Sequence, residues 1–325
     1  MNNVGIIGIG HYVPEKILTN NDLEKIVNTT NEWIMTRTGI SERRIAEENI
    51  PTSYLATKAA NEAIQNANIK SEEIDLIIVA TITPDMTFPS TACIVQAQIG
   101  AFNAACFDLQ AACSGFVFAL HTAEQFIANG VYKNILVIAA DKMSSIVDWQ
   151  DRNTCVLFGD GACACILSQS SSKKILKSYW KSDGRFKDIV YLPGGGSQIP
   201  PSHKMIEEKL QFIKMDGKIL FKHAVTKIEE SIKKVISLCN LSIDDISLII
   251  PHQANIRIIE AIYERLKVPK EKVFINLHKY GNLSAASVGV CLSEISKQNT
   301  LKSGDKILLT TVGAGLSWAS MIIEW

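Results

Sequence analysis

The stretch DLQAACSGF (108–116) sets a thiol, Cys113, on a short turn between a strand-like run (AACFDL, 104–109) and a helical pattern (GFVFALHTAEQFIANG, 115–130). A thiol there can act as a nucleophile. The positive end of the helix dipole favours its thiolate. Ser114 and Gly115 let backbone approach closely, and the Cys113 amide can face a developing oxyanion. The same residue reads equally well as one more small buried side chain. A nucleophile needs partners. LIIPHQAN (248–255) puts His252 directly after an apolar strand, and YGNLSAAS (280–287) offers Asn282 in a Gly-Asn turn before a helix of small residues. Taken singly, His252 reads as a structural hydrogen-bonder and Asn282 as a helix cap. Together the three supply one nucleophile and two neutral hydrogen-bond donors. That set can form a thioester and stabilise an enolate oxygen.

The elements that must position these residues are strands and helices in alternation. Short runs such as VGIIGIG, DLIIVATIT, NILVIAA, ACILS, SLIIP and KILLTTV are apolar on both faces, and helical patterns separate them. This predicts an α/β protein with buried sheets. The chain has 325 residues, long for a single core. Two stretches repeat: Ile74-Asp75-Leu76-Ile77-Ile78 matches Ile246-Ser247-Leu248-Ile249-Ile250, and KNILVIAA (133–140) matches DKILLTTV (305–312), both 172 residues apart. Two matches in one order at one spacing predict two similar α/β halves, 1–172 and 173–325, with the polar SQSSSK (168–173) as the junction. At that spacing Cys113 corresponds to Ala285, inside the segment that carries Asn282. If the halves pack symmetrically, their strand-to-helix turns meet, where ligands of open α/β sheets gather. YLPGGGSQIPPSHK (191–204) reads as a long loop.

Composition narrows the function further. Hydrophobic residues make up 47% and charged residues 20%, as in a packed globular protein. Lys plus Arg and Asp plus Glu each count 33, so there is no overall field for nucleic acid or an anionic membrane. No apolar run approaches the roughly 20 residues of a membrane span, and the N-terminus does not read as a signal peptide. The eight cysteines are expected to be reduced. Cys163 and Cys165 in GACAC share one strand face without a second pair at metal-ligand spacing, so they read as core. There is no GxGxxG before a helix and no GxxxxGK[ST], which argues against dinucleotide and P-loop sites.

Across essentially its whole length the chain resembles the β-ketoacyl-acyl carrier protein synthase III family of thiolase-fold condensing enzymes. The motifs, in family order, are GIIGIGHYVPEKILTNNDLEK (5–25), NEWIMTRTGISERRI (31–45), FPSTAC (88–93), AACSGF, FGDGACA (158–164), PHQAN, GNLSAAS and GAGLSWAS (313–320). The resemblance implies a five-layered αβαβα core of two duplicated halves and a Cys113–His252–Asn282 triad. Cys113 would take an acyl group from acyl-CoA. His252 and Asn282 would bind the thioester oxygen of malonyl-acyl carrier protein as it loses CO2, and the amides of Cys113 and Ala314 would hold the oxyanion. It also implies that Trp33 stacks on the adenine of CoA with Arg152 on its other face, that Arg37 meets the phosphates, and that Gly217, Ala254 and Asn255 line the pantetheine tunnel. Phe88 would sit at a dimer contact and close the acyl pocket, and Lys222, Arg257 and Arg265 would dock the acidic carrier protein. By the same resemblance the protein is a cytoplasmic bacterial homodimer that initiates fatty acid synthesis and needs no metal or redox cofactor, acyl-CoA being a substrate.

The chain departs from the family at Val312, where an aromatic is usual, at Ala314 in place of a glycine, and at Leu283 in place of a common Thr. These departures keep open a paralogous condensing enzyme or acyltransferase of a secondary-metabolite or polyketide pathway. A non-catalytic CoA-binding or carrier-protein-binding subunit is a third reading, which the intact Cys113, His252 and Asn282 oppose.

Overall fold

The computed structural model describes residues 4–169 and 171–325. Its main sheet is built of β1 (Val4–Tyr12), β2 (Leu76–Ala80), β3 (Ala105–Leu109), β4 (Ile135–Lys142), β5 (Asp160–Gln169), β6 (Lys173–Ser182), β7 (Leu248–Pro251), β8 (Lys306–Gly313) and β9 (Ser317–Glu324). They are hydrogen-bonded in the order β7-β8-β9-β6-β1-β5-β4-β2-β3. The helices that cover the sheet are α1 (Asn31–Thr38), α2 (Thr52–Ala67), α3 (Thr91–Ile99), α4 (Gly115–Ala128), α5 (Gly217–Leu238), α6 (Ile256–Leu266) and α7 (Ala286–Lys297).

The repeat seen in the sequence reappears as strand register. β2 pairs in parallel with β4 so that Leu76 faces Ile135. β7 pairs in parallel with β8 so that Leu248 faces Ile307. Both partners in the second pair lie 172 residues beyond their counterparts in the first. The two halves are joined where β1 meets β6 over only two residue pairs, Gly5 with Lys174 and Ile6 with Lys173. The polar stretch 168–173 falls between β5 and β6, which lie on either side of β1 in the sheet. Ser171 within it is buried and donates to the Ile6 carbonyl at 2.8 Å, while Ser170 lies outside the described residues.

Alternate residues of each strand go to opposite sides, and this sorts the core into layers. Leu76, Ile78, Ile135, Val137, Ile307, Leu309, Met321 and Ile323 all join one inner cluster with α4 and α7. Ile77, Val79, Leu136 and Ile138 pack outward against α2 and α3. Leu308, Val312 and Ile322 pack outward against α5 and α6. The layers are thus helix, strand, helix, strand, helix, the arrangement the resemblance implies. Both faces of these strands need apolar side chains, which is why the runs read as continuously hydrophobic. Cys163 and Cys165 point into the inner cluster, as expected of core cysteines. There α7 packs so closely on β5 that a Cβ on Gly289 would collide with Cys163. The segment 191–204 is less of a loop than predicted. Val190–Tyr191 pairs with Lys214–Met215, and His203–Glu207 is a short helix.

Candidate active site

The site lies where β2, β4, β7 and β8 end at their carboxyl termini, the usual place for ligands in such sheets. Ala111 and Ala112 carry the chain from the end of β3 toward α4, and Ala112 takes a φ of +45°. A left-handed alanine is costly, and such turns persist only when their surroundings hold them. Here the Ala111 carbonyl accepts from the Ser114 amide (3.1 Å) and the Ser317 hydroxyl (3.0 Å), and the Ser114 hydroxyl donates to the Ser317 carbonyl (3.0 Å). The start of β9 thus clamps the turn. Gly313, at the end of β8, abuts it: a Cβ there would lie 2.8 Å from the Cys113 amide nitrogen and 2.9 Å from that of Ser114.

Cys113 Sγ lies 3.7 Å from Ser284 Oγ. The helix dipole was expected to favour its thiolate, and the structure corrects this. Burial pushes the thiol up to about 12, and the nearby Asp141 carboxyl pushes the same way, against the Ser284 hydrogen bond. The penalty for a buried charge is larger than the 0.3–2 kcal/mol or so that a helix end offers. The thiol therefore rests protonated.

His252 follows β7 directly. Its amide donates to Thr310 of β8 at 2.8 Å, and its ring is buried (4% exposed). Nδ1 lies 2.7 Å from Ser287 Oγ in the first turn of α7. The Gln253 amide donates to the same Oγ (3.4 Å), so the serine's own proton is available for Nδ1. In the tautomer in which Ser287 donates to Nδ1, Nε2 carries the proton and His252 is a neutral donor. Burial lowers its pKa to about 4. Asn282 is clasped at its backbone, its amide donating to Leu157 (2.8 Å) and its carbonyl accepting from Gly159 (3.1 Å). Its Oδ1 accepts from the Ser284 amide at 2.9 Å, which leaves Nδ2 as a donor. The turn 282–287 therefore carries Asn282, touches Cys113 through Ser284 and holds His252 through Ser287.

One cavity reaches this turn, and a second borders the nucleophile turn at Ala111 and Ala112. The first, about 510 Å³, is lined by Asn282, Ala254, Asn255, Gly217 and Arg37, with Arg257 and Lys218 adding positive charge. Asn255 caps α6 and donates to the Arg37 carbonyl at 3.0 Å, tying α1 to the wall. The second, about 790 Å³, lies beside Ala112 and Ala314 and is lined by Ile82, Phe118, Ile146, Val190, Leu192 and Ile213. Phe88 is not among its lining residues. It is 83% exposed, although Pro84 and Thr87 of the same loop do line the cavity. The closing role implied for Phe88 is thus not met within its own chain.

Other sequence expectations sort similarly. Trp33 and Arg152 do meet, but the guanidinium lies over the ring at 4.5 Å, leaving no space for a base between them. Lys222, Arg257 and Arg265 are all exposed. Arg265 is paired with Glu229 at 3.1 Å, which spends part of its charge. Val312 is buried in the outer cluster with Leu316 and Trp318 and does not line the first cavity. Leu283 is buried in the inner cluster. Sequence reasoning missed Ser284, Ser287, Asp141, Gly313 and Lys218. It also missed Arg43, fully buried, whose guanidinium donates to Leu18, Asn20 and Val156 and so braces the segment that clasps Asn282.

The family model for 3-oxoacyl-[acyl-carrier-protein] synthase III matches residues 107–184, and the model for its C-terminal part matches 236–325. A β-ketoacyl-[acyl-carrier-protein] synthase III from Caldanaerobacter subterraneus subsp. tengcongensis is 54% identical over 99% of this chain and 97% of its own. One from Clostridium acetobutylicum is 52% identical over 100% and 99%. The crystal structure of 3-oxoacyl-[acyl-carrier-protein] synthase III from Aquifex aeolicus VF5 is similar at a TM-score of 0.92, with 48% identity over 99% of this chain and 100% of that one. The priming β-ketosynthase of the R1128 polyketide pathway has the same TM-score at 31% identity, covering 99% and 96%.

Proposed function

This chain belongs to the β-ketoacyl-[acyl-carrier-protein] synthase III family of acyltransferases, and we propose that it joins an acyl-CoA primer to malonyl-acyl carrier protein, the step that initiates fatty acid synthesis. The observation that carries the reading is the turn 282–287, which places Asn282 in a cavity edged with positive charge, touches Cys113 through Ser284 and holds His252 through Ser287.

In the first half-reaction Cys113 Sγ attacks the thioester carbon, the C–S bond to CoA breaks, and CoA leaves as its thiol. The amides of Cys113 and Ala314 receive the oxyanion. In the second, malonyl on the carrier protein enters through the first cavity. As its C–C bond to CO2 breaks, the electron pair moves onto the thioester oxygen, where His252 Nε2–H and Asn282 Nδ2–H receive it. The carbanion carbon then attacks the acyl-Cys carbonyl, the C–S bond to Cys113 breaks, and the released thiolate takes up a proton from solvent. A neutral His252 suits this step, because a donor without charge stabilises the enolate without fixing a proton on it. Side chains and backbone carry these steps, with no metal or redox cofactor.

Arg37, Lys218 and Arg257 suit the phosphates of CoA. Trp33 offers its face to the adenine once Arg152 turns aside. Lys222 and Arg257, exposed on neighbouring helices, suit an acidic carrier protein. The protein acts as a homodimer in the bacterial cytoplasm. Supporting the dimer, β3 is an edge strand flanked by exposed Met86, Phe88 and Phe102, a combination that asks for cover.

The test supplies acyl-CoA and malonyl-carrier protein together. The reading predicts CO2 and 3-oxoacyl-carrier protein in equal amounts. Transfer of the acyl group to the carrier protein without CO2 would instead mark an acyltransferase.

A further inference from the structure

Gln253 follows His252 in PHQAN and is 1% exposed, yet the reaction above gives it no task. Its side chain makes four hydrogen bonds. Nε2 donates to the carbonyls of Pro251 (2.7 Å) and Phe274 (3.4 Å). Oε1 accepts from the amides of Asn276 (3.1 Å) and Leu277 (3.2 Å). All these partners are backbone groups with fixed roles, so they settle which end of the carboxamide is oxygen. The two amides open the one-turn helix Leu277–Tyr280, which ends at Gly281 and leads directly into Asn282. The first amides of a helix need partners from outside it. Asn276 stands where a cap belongs, but its side chain is engaged elsewhere: Nδ2 donates to Glu294 of α7 (2.8 Å) and Oδ1 accepts from Cys291 (3.0 Å). Gln253 serves as the cap instead.

Downstream of Asn282, Ser287 Oγ pairs with the His252 ring and accepts from the Gln253 amide. The segment that carries Asn282 is therefore tied to the segment of His252 at both ends, at 276–277 by the Gln253 side chain and at 287 by a hydroxyl. The backbone bonds of Asn282 to Leu157 and Gly159 run instead to the segment before β5. We infer that Gln253 is a positioning residue for decarboxylation: its carboxamide fixes where Asn282 stands relative to His252, and with it the geometry of the two donors that receive the enolate oxygen. The inference rests on the condensation proposed above. Donors stabilise a developing charge most when they are set in place beforehand, and a small misplacement is costly. Acylation of Cys113 uses neither donor, so the effect of Gln253 falls on one half-reaction.

The experiment measures both half-reactions in wild type, Gln253→Met, Gln253→Asn and Asn282→Ala, and in each Gln253 variant combined with Asn282→Ala. One readout is the rate of Cys113 acylation by acyl-CoA, by rapid quench and intact mass. The other is CO2 release from malonyl-carrier protein. Methionine has the length of glutamine without its hydrogen bonds. Asparagine keeps the carboxamide but falls one methylene short, and it carries the same comparison where Gln253→Met does not fold. We expect CO2 release to fall about thirtyfold in Gln253→Met and about tenfold in Gln253→Asn, with acylation within about twofold of wild type. Asn282→Ala lowers CO2 release about a hundredfold. Adding either Gln253 variant to it costs less than about threefold more, because the group that Gln253 positions is already gone. Unchanged CO2 release in the Gln253 variants, equal loss in both half-reactions of Gln253→Asn, or losses that multiply in the combined variants overturn the inference. A wild-type enzyme that releases no CO2 overturns the condensation itself.

Discussion

His252→Ala is expected to slow CO2 release from malonyl-carrier protein by about a thousandfold, while acyl-CoA still adds one acyl group to Cys113. The asymmetry follows from the geometry. His252 is anchored at Nδ1 by Ser287, which leaves Nε2 to donate to the enolate oxygen. Burial lowers its pKa to about 4, so the ring stays neutral from pH 5 upward. Decarboxylation should therefore show no inflection near pH 6.5 from this residue. The same shift bears on stability. The unfolded chain binds the proton near pH 6.5 and the folded chain resists it to about 4, so this residue's contribution is intact above pH 6.5 and is lost as the pH falls toward 4. Measuring CO2 release and acyl uptake separately, over pH 5.5 to 8, checks both points. Equal loss of the two half-reactions in His252→Ala would contradict the assignment.

Gly313→Ala is expected to cut acylation of Cys113 by about a hundredfold. The added methyl would sit 2.8 and 2.9 Å from two backbone nitrogens and 3.1 Å from the Ala111 carbonyl oxygen. None of these is a flexible side-chain end. Relief must come from moving the nucleophile turn, which the start of β9 clamps through Ser317. A shift of a few tenths of an ångström there displaces both Sγ and the Cys113 amide. Gly184→Ala is the control, since nothing lies within 4 Å of a Cβ at that position and its backbone is not left-handed. Acylation rates for the two variants, with melting temperatures beside them, separate a misplaced nucleophile from a merely less stable fold. Near-normal acylation in Gly313→Ala would show that the turn is not held as described.

Much of this was legible in the sequence because it depends on local pattern. The strands are apolar on both faces and so read as buried, and the spacing of 172 residues between two pairs of them returned as identical strand register. The positions of Cys113, His252 and Asn282 on strand-end turns followed from the elements around them. What could not be read depends on contacts between distant segments. Ser284 meets Cys113 across 171 positions, and nothing in SAAS distinguishes a hydroxyl that touches the nucleophile from a helix cap. Asp141 lies next to the end of its strand, where many aspartates face solvent, and Thr81, Thr83 and the Ala285 amide pack against it instead. The thiol was misjudged because a helix N-terminus is visible in a sequence and desolvation is not. For Phe88 a single chain offers no cavity to close.

The most direct test of the central claim is the intact mass of the protein after brief exposure to acetyl-CoA, then to longer and branched acyl-CoAs, beside Cys113→Ala. The account predicts a gain of one acyl group on the wild type and none on the variant. No gain with any acyl-CoA, or a gain that survives in Cys113→Ala, would contradict it.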